Sequence, residues 1–275
     1  MARSEPRPNR EDAAGGATAP SPGVHLSEWA AELVGSALLL FVVVSAVTVD
    51  FGPGSQLVQI VPSRSLRLLI TGLVIAGSAS LYAITPPGKR SGAHLNPVVT
   101  LAFWLMGHVH RHDLLGYWVS QLTGALIGTA AGMATWREAA FSVHVAATRP
   151  GQGMPLVVVV GAEFGMTATL VLVIFFLLAR PATERLVPLV AWLLVAGFVW
   201  QLAPVSGTSL NPARSFGPAL FDGNLQWMWI YLVGPGLGAV AAAGLAHLWD
   251  EGFNPLTAKL FRDPKYKNVF GTRAR

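Results

Sequence analysis

Two stretches of the chain decide its fold: Ser91-Gly92-Ala93-His94-Leu95-Asn96-Pro97-Val98 and, 115 residues later, Ser206-Gly207-Thr208-Ser209-Leu210-Asn211-Pro212-Ala213. Both place Asn-Pro at the start of an apolar run. Asparagine is a good helix N-cap, and proline fits the first helical position because its missing N–H would have no partner there. The two stretches therefore predict short helices over about residues 96–106 and 211–221.

The composition is that of an integral membrane protein. Mean hydropathy is +0.51, and only 12% of the 275 residues are charged. A soluble domain carries about twice that charged fraction. The chain has no cysteine, which excludes disulfides and thiolate chemistry. No nucleophile stands beside a base in the sequence, so we predict no enzyme activity, and we expect no metal, no cofactor and no nucleic-acid partner.

Six apolar runs approach the roughly 20 residues that a membrane-spanning helix needs. They cover about residues 29–50, 66–85, 113–136, 156–179, 186–204 and 227–249. The two Asn-Pro segments are near ten residues each, too short to cross, and are predicted to be re-entrant. The predicted fold is an all-α membrane protein with six transmembrane helices and two re-entrant half-helices.

The two halves of the chain repeat each other. Ala31-Glu32 opens the first span and Ala162-Glu163 the fourth, while Tyr117 and Tyr231 are 114 residues apart. Three spans per half is an odd number, so the second half must insert upside down, which makes an inverted 3+3 repeat. We expect repeats at 28–137 and 156–250 within a channel domain at 28–250. A disordered cytoplasmic tail is predicted at 1–27 and a basic cytoplasmic tail at 251–275.

The distribution of basic residues predicts the orientation. If the N-terminus is cytoplasmic, 14 of the 19 Lys and Arg residues fall in inner segments. Such a bias favours cytoplasmic termini in a multi-pass protein, and we expect the inner membrane of a bacterial cell. The basic tail is predicted to lie near anionic headgroups.

The paired motifs predict a transport pathway. Two half-helices in equivalent places of a duplicated membrane chain point to a solute site between them. Their positive N-termini would meet at the midplane, repelling cations, while Asn96 and Asn211 offer amide donors to passing water. This arrangement favours a passive channel. The alternative from another class is an ion-coupled secondary transporter, which would need coupling-ion ligands or an acid within the pore.

With these residues in view, the chain resembles the major intrinsic protein family, the aquaporins and aquaglyceroporins, over about residues 28–250. The resemblance is carried by the paired motifs, by Asn-Pro-Ala-Arg-Ser at 211–215 and by the Ala-Glu pairs. It implies one pore per subunit, a homotetramer, and a lipid bilayer around it. It also implies that Glu32 and Glu163 hydrogen-bond the backbone of the pore loops and that His94 lines the inner vestibule.

The resemblance also implies a selectivity filter of four residues. Arg214 and Thr208 match its loop positions and Val199 its position in span five. Leu73 matches its position in span two, with Gly72 or another neighbour as the alternative. Valine and leucine stand where water-selective members have histidine and many members an aromatic residue, which predicts a wider, more apolar filter. We therefore expect the pore to pass water, small neutral solutes such as glycerol-like polyols, urea and metalloid acids, or both. A strictly water-selective pore is the alternative.

Val98 is a further departure from the family pattern, which has alanine after the first Asn-Pro. Its added methyl groups would lie near the meeting point of the two half-helices. The sequence leaves the direction of their effect on pore width open.

Overall fold

The computed structural model describes residues 17–249 and 252–272. In those residues the chain forms these α-helices: α1 (Leu26–Phe51), α2 (Gln56–Ile60), α3 (Arg64–Ala83), α4 (Pro86–Ser91), α5 (Pro97–Leu105), α6 (Arg111–Trp136), α7 (Glu138–Ser142), α8 (Leu156–Leu178), α9 (Val187–Ser206), α10 (Pro212–Phe221) and α11 (Met228–Leu248). Short 3₁₀ turns at His144–Ala146 and Glu184–Leu186 connect them.

Six helices, α1, α3, α6, α8, α9 and α11, are long enough to cross a bilayer. Five of them are also apolar enough to be membrane spans by length and composition. The sixth, α6, has 26 residues but is less apolar, because Gln121, Thr129 and several glycines lie along it. Its polar side chains at these positions are buried against other helices rather than turned to lipid.

The half-helices α5 and α10 begin at the predicted prolines. Asn96 Oδ1 accepts a hydrogen bond from the Val98 N–H at 3.0 Å, and Asn211 Oδ1 accepts one from the Ala213 N–H at 3.0 Å. With 9 and 10 residues, each helix is about 15 Å long. That length is half of a bilayer core of about 30 Å, as a re-entrant segment requires.

Close contacts between helices hold each half of the chain together. In the first half, a Cβ at Gly124 of α6 would lie 2.3 Å from the Leu33 carbonyl oxygen of α1. In the second half, a Cβ at Gly238 of α11 would lie 2.5 Å from the Phe164 carbonyl oxygen of α8. Any side chain at these glycines would force the parallel helices apart, so the inverted repeat depends on small residues here.

Side chains on the outside of the bundle are large and apolar. Val157, Leu193 and Leu237 are all exposed in the single chain. A water-soluble protein would not leave such a belt uncovered, whereas lipid covers it in a multi-pass membrane protein.

The segments before α1 and after α11 lie on one face of the bundle, the terminal face. Thr18 and Thr272 form a two-way backbone bridge, with N···O distances of 2.8 and 2.9 Å. Residues 17–25 are therefore ordered, and α1 begins at Leu26, although the sequence predicts a disordered tail to residue 27. The rest of that predicted tail, residues 1–16, lies outside the described residues.

The predicted basic tail is also packed where the structure describes it. Lys259 is buried, and its ammonium donates to the carbonyl oxygens of Tyr266 at 3.4 Å and Lys267 at 2.9 Å. The expectation that this lysine lies near lipid headgroups is therefore wrong, because its charge is held by backbone dipoles. Phe270 packs into the main hydrophobic core.

Candidate functional site

The loops that lead into α5 and α10 adopt the same unusual backbone. Gly92 and Gly207 have φ of 89° and 80°, a conformation that only glycine adopts without strain. Leu95 and Leu210 also have positive φ, at 48° and 54°. Positive φ is rare for leucine and persists only where the surroundings enforce it.

Two buried carboxylates enforce this conformation. Glu163 of α8 accepts hydrogen bonds from the Ser209 N–H at 2.9 Å, the Leu210 N–H at 2.8 Å and the Ser206 hydroxyl at 2.7 Å. Each carboxylate oxygen thus has a partner from the loop. Glu163 is completely buried, so these bonds are made out of contact with water.

Glu32 of α1 does the same for the first loop. Its oxygens accept from the His94 N–H at 3.0 Å, the Leu95 N–H at 2.7 Å and the Ser91 hydroxyl at 2.7 Å. Gln121 adds a fourth bond, at 2.8 Å, which has no counterpart on Glu163. The two glutamates therefore occupy equivalent places in the repeat, as the Ala-Glu pairs in the sequence predict.

Two buried tyrosines fix the loop starts in the same way. The Tyr117 hydroxyl donates to the Ser91 carbonyl oxygen at 2.7 Å, and the Tyr231 hydroxyl donates to the Ser206 carbonyl oxygen at 2.7 Å. Each bond joins the third span of one half of the chain to the loop that precedes the half-helix of the same half. The 114-residue spacing of these tyrosines in the sequence reflects this shared function.

The two asparagines bind across the centre of the molecule. Asn96 Nδ2 donates to the Leu210 carbonyl oxygen at 2.9 Å, and Asn211 Nδ2 donates to the Leu95 carbonyl oxygen at 2.8 Å. The positive φ of each leucine turns its carbonyl toward the opposite loop. An amide nitrogen carries two hydrogens, so each asparagine keeps a second donor. Both asparagines line the central cavity, where that donor can meet a solute.

The cavity runs lengthwise through the bundle. It has a volume of about 360 Å³ and is lined along α3 from Arg64 to Ala83, the full length of that helix. A 20-residue helix rises about 30 Å, the thickness of a bilayer core. The lining is mostly aliphatic, and its polar side chains lie chiefly near the asparagines and Arg214. The site is thus a narrow passage of membrane length.

Arg214 lies near the wall of this passage on the side away from the terminal face. Its Nη1 donates to the Ala146 carbonyl oxygen at 2.8 Å, and its backbone N–H donates to Asn211 Oδ1 at 3.3 Å. Ala146 itself has a positive φ of 59°. The guanidinium is therefore held by the Ala146 carbonyl oxygen, and at 9% exposure Arg214 is not a flexible surface arginine.

Three further side chains surround the passage near Arg214. Thr208 Oγ1 donates to the Phe198 carbonyl oxygen at 3.4 Å, which places it beside Val199 on α9. A Cβ at Gly72 of α3 would lie 3.0 Å from Val199 Cβ, which brings the neighbouring Thr71 to the same level. Thr71, Val199, Thr208 and Arg214 all line the cavity.

The sequence comparison identifies what kind of molecule this passage belongs to. Residues 22–247 match the family described as Major intrinsic protein. The chain belongs to the major intrinsic protein family. This match covers the six spans and both half-helices, so the whole membrane part of the chain is that of the family.

Individual members of the family are similar to this chain over most of its length. A probable aquaporin AqpM from Archaeoglobus fulgidus is 33% identical over 244 residues, covering 78% of this chain and 93% of that protein. Aquaporin-8 from Rattus norvegicus is 34% identical over 221 residues, covering 79% of each. The solved aquaglyceroporin from Plasmodium falciparum matches with a TM-score of 0.68 at 20% identity, covering 80% of this chain and 95% of that one.

The structural match confirms the predicted fold class, six spans with two half-helices in an inverted repeat. Family membership establishes a multi-pass membrane channel for water or other small solutes, and not an enzyme. Which of these solutes pass depends on the side chains around the passage.

One predicted filter residue is corrected by the structure. Leu73 does not line the passage, whereas Thr71 does. Two residues correspond to about 200° of rotation on a helix, so Leu73 points away when Thr71 points in. The Leu73 carbonyl oxygen accepts a bond from Trp192 Nε1 at 2.8 Å, within the α3–α9 contact. Gly72, the alternative, packs its Cα against Ala196 and Val199.

A cysteine scan would test this correction, because the chain has no cysteine of its own. We expect a mercurial to abolish most water permeability of Thr71→Cys in liposomes, since the bound metal would occupy the passage. Leu73→Cys is the matched control and should keep its permeability, as should the unmodified protein. Block at position 73 with none at 71 would restore the sequence-based assignment.

The predicted vestibule residue, His94, lies at the terminal-face end of the passage. Its Nε2 is 2.7 Å from the Ala258 carbonyl oxygen, and its ring stacks on Phe270 at 5.5 Å. Leu260 reaches into the same end of the cavity. The segment after α11 thus forms part of the wall there, which the sequence did not predict.

An ion pair ties that segment to α4. Lys89 Nζ lies 3.1 Å from Asp263 Oδ2. The Lys265 backbone N–H, together with Lys89, lowers the pKa of Asp263. The carboxylate is therefore ionised at neutral pH and forms an ion pair with Lys89.

The departure at Val98 lies outside the passage. Val98 is buried in the main hydrophobic core, while its neighbour Val99 lines the cavity. Its methyl groups therefore contribute to packing between the half-helix and its surroundings rather than to the passage surface.

Proposed function

We propose that this chain is a channel for water together with neutral solutes larger than water, such as glycerol-like polyols, urea and metalloid acids. The observation that carries the proposal is Val199. This residue is 8% exposed and lines the passage beside Arg214, where a histidine or an aromatic ring would narrow it. Thr71, which lies at the same level of the passage, is also small. The four lining residues Thr71, Val199, Thr208 and Arg214, which we call the filter ring, therefore contain one large side chain, that of Arg214.

The ring is amphipathic, which suits hydroxylated carbon compounds. Val199 offers an apolar wall to C–H groups, and Arg214 offers fixed N–H donors to hydroxyl or carbonyl oxygens. Its positive charge opposes the entry of cations. A probable aquaporin and a solved aquaglyceroporin both share this fold, so the fold serves both kinds of channel.

Protons are excluded at the centre of the passage. The N-termini of α5 and α10 meet at Asn96 and Asn211, and each carries about half a positive charge. A water whose oxygen accepts from both amides has its hydrogens turned outward along the passage. Such a water is a poor acceptor for a proton from its neighbour, which interrupts proton hopping.

The remaining assignments complete this proposal. Pro97 and Pro212 start the half-helices, Glu32 and Glu163 support the loops, and His94 contributes to the inner entrance. We place the terminal face in the cytoplasm of a bacterial plasma membrane, in accordance with the excess of basic residues there. We also propose a homotetramer in the bilayer, as the family resemblance implies.

Liposomes that contain the purified protein test the proposal by stopped-flow light scattering. We expect fast shrinkage in an impermeant sucrose gradient, followed in glycerol or boric acid gradients by re-swelling well faster than in protein-free liposomes. Fast shrinkage without re-swelling would instead identify a strictly water-selective channel. Solute uptake that requires a sodium or proton gradient would identify a secondary transporter.

A further inference from the structure

A buried carboxylate lies directly behind the filter ring. Asp50, in the last turn of α1, accepts a hydrogen bond from the Thr71 hydroxyl of α3. Both side chains are 3% exposed, and Thr71 also lines the passage. The aspartate itself does not line it. Asp50 therefore meets a solute only through Thr71.

The hydroxyl of Thr71 has one hydrogen and two acceptors for it. Besides Asp50 Oδ2, the Arg67 carbonyl oxygen lies 2.8 Å from Thr71 Oγ1. If Asp50 is ionised, the hydrogen is shared between these two oxygens. If Asp50 is protonated, it donates to Thr71, and Thr71 donates to Arg67. In both cases the hydroxyl hydrogen is bonded within the protein, and Thr71 Oγ1 keeps a lone pair that can accept a hydrogen bond from a solute.

Arg67 keeps a positive charge near this pair. Its Nη1 donates to the carbonyl oxygens of Val61 at 2.7 Å and Pro62 at 2.9 Å, and its guanidinium lies 5.5 Å from the Phe51 ring centroid. These contacts hold the arginine one turn before Thr71 on α3. An ionised Asp50 therefore has a fixed counter-charge, although the arginine is not in the passage lining.

We propose that Asp50 is a positioning residue that makes Thr71 a hydrogen-bond acceptor in the same stretch of the passage lining as the donor Arg214. A donor and an acceptor at one level select neutral solutes that carry hydroxyl hydrogens as well as hydroxyl oxygens, such as polyols and hydroxylated acids. A hydrogen bond to an ionised partner also polarises the hydroxyl, which strengthens its oxygen as an acceptor. This inference rests on the proposed function, because it names the solute chemistry of that filter.

The test compares glycerol and water permeability in liposomes for substitutions that keep the width of the passage. Thr71→Val is nearly isosteric and removes the acceptor, so we expect glycerol permeability to fall by about three- to tenfold with water permeability nearly unchanged. Thr71→Ser retains the hydroxyl and should keep both the glycerol and the water permeability. Asp50→Asn retains an acceptor oxygen behind Thr71 and should stay near the unmodified protein, whereas Asp50→Leu should lose part of the glycerol permeability.

Thr71→Val leaves the Asp50 carboxylate without its partner and could impair folding. The double variant Asp50→Leu/Thr71→Val removes both partners, which is often close to neutral for stability. It should show the full loss of glycerol permeability. Unchanged glycerol permeability in the double variant, or equal losses of glycerol and water, would overturn the inference.

Failure of the proposed function gives a different result. If the unmodified protein conducts water and no glycerol, the filter is not a solute filter, but the acceptor can still be measured with water itself. A pore that admits only water is narrow enough for each water to contact Thr71, so water permeability should then fall in Thr71→Val and in the double variant and stay unchanged in Thr71→Ser. Equal water permeability in all of these variants would reject the acceptor as well.

Discussion

Replacing Val199 by histidine should lower glycerol permeability by about tenfold or more, while water permeability changes by less than about twofold. A tenfold change corresponds to about 1.4 kcal/mol in the barrier. Val199 lines the passage at the level of Arg214, and Gly72 packs against its back. The imidazole therefore has no room toward α3 and must extend into the lumen. It would add both bulk and an N–H donor opposite the aliphatic part of a polyol.

Val199→Ala is the matched control, because it changes the same position without filling the lumen. It should conduct glycerol at least as well as the unmodified protein. Stopped-flow light scattering of liposomes with equal amounts of each variant measures both solutes in one preparation. Glycerol permeability of Val199→His at the unmodified level would show that the narrowest point lies elsewhere and would remove the main support for the proposed selectivity.

Much of this architecture was predictable from local chemistry. Proline at the first helical position and asparagine as the cap fix the starts of α5 and α10 within a residue, because both constraints act over a single turn. The span limits follow in the same way from apolar runs of bilayer length. The equivalence of Glu32 and Glu163 was visible because the repeat copies the residue type as well as its position.

The error at Leu73 has a geometric cause. The short helix α4, Pro86–Ser91, lies between span two and the first Asn-Pro motif, so the register of span two relative to that motif does not follow from the sequence. A shift of two residues along a helix turns the side chain by about 200°. A small error in register therefore selects a residue that faces away from the passage instead of one that lines it. Thr71 was identifiable only once its helix could be placed against Val199.

Contacts between distant segments that no sequence motif marks were not predictable from one sequence. Asp50 and Thr71 lie 21 residues apart on different helices, and no motif links them. The positions of Ala258 and Leu260 at the passage entrance depend on how the segment after α11 folds back, which neither charge nor hydropathy indicates. Basic residues there predicted contact with headgroups, yet Lys259 is bound by backbone carbonyls instead.

The largest effect should follow the removal of the carboxylate of Glu163. Glu163→Ala would leave the N–H groups of Ser209 and Leu210 and the hydroxyl of Ser206 buried without an acceptor. Each unsatisfied buried donor costs about 1–3 kcal/mol, and a typical protein is stable by only about 5–15 kcal/mol. The loop would also lose the bonds that hold positive φ at Leu210, so the channel should lose water and solute permeability together.

Three comparisons separate this effect from a general loss of charge or volume. Glu138→Ala, at an exposed glutamate on α7, should keep the melting temperature and permeability of the unmodified protein. Glu163→Gln should have a melting temperature and a permeability between those of the unmodified protein and of Glu163→Ala. The amide keeps one acceptor oxygen but turns an NH₂ group toward a loop N–H. Glu32→Ala should behave like Glu163→Ala, since the two carboxylates bind equivalent loops. The melting temperature in detergent and the permeability per folded protein are measured for each variant. If Glu163→Ala were as stable and as permeable as Glu138→Ala, this view would be contradicted.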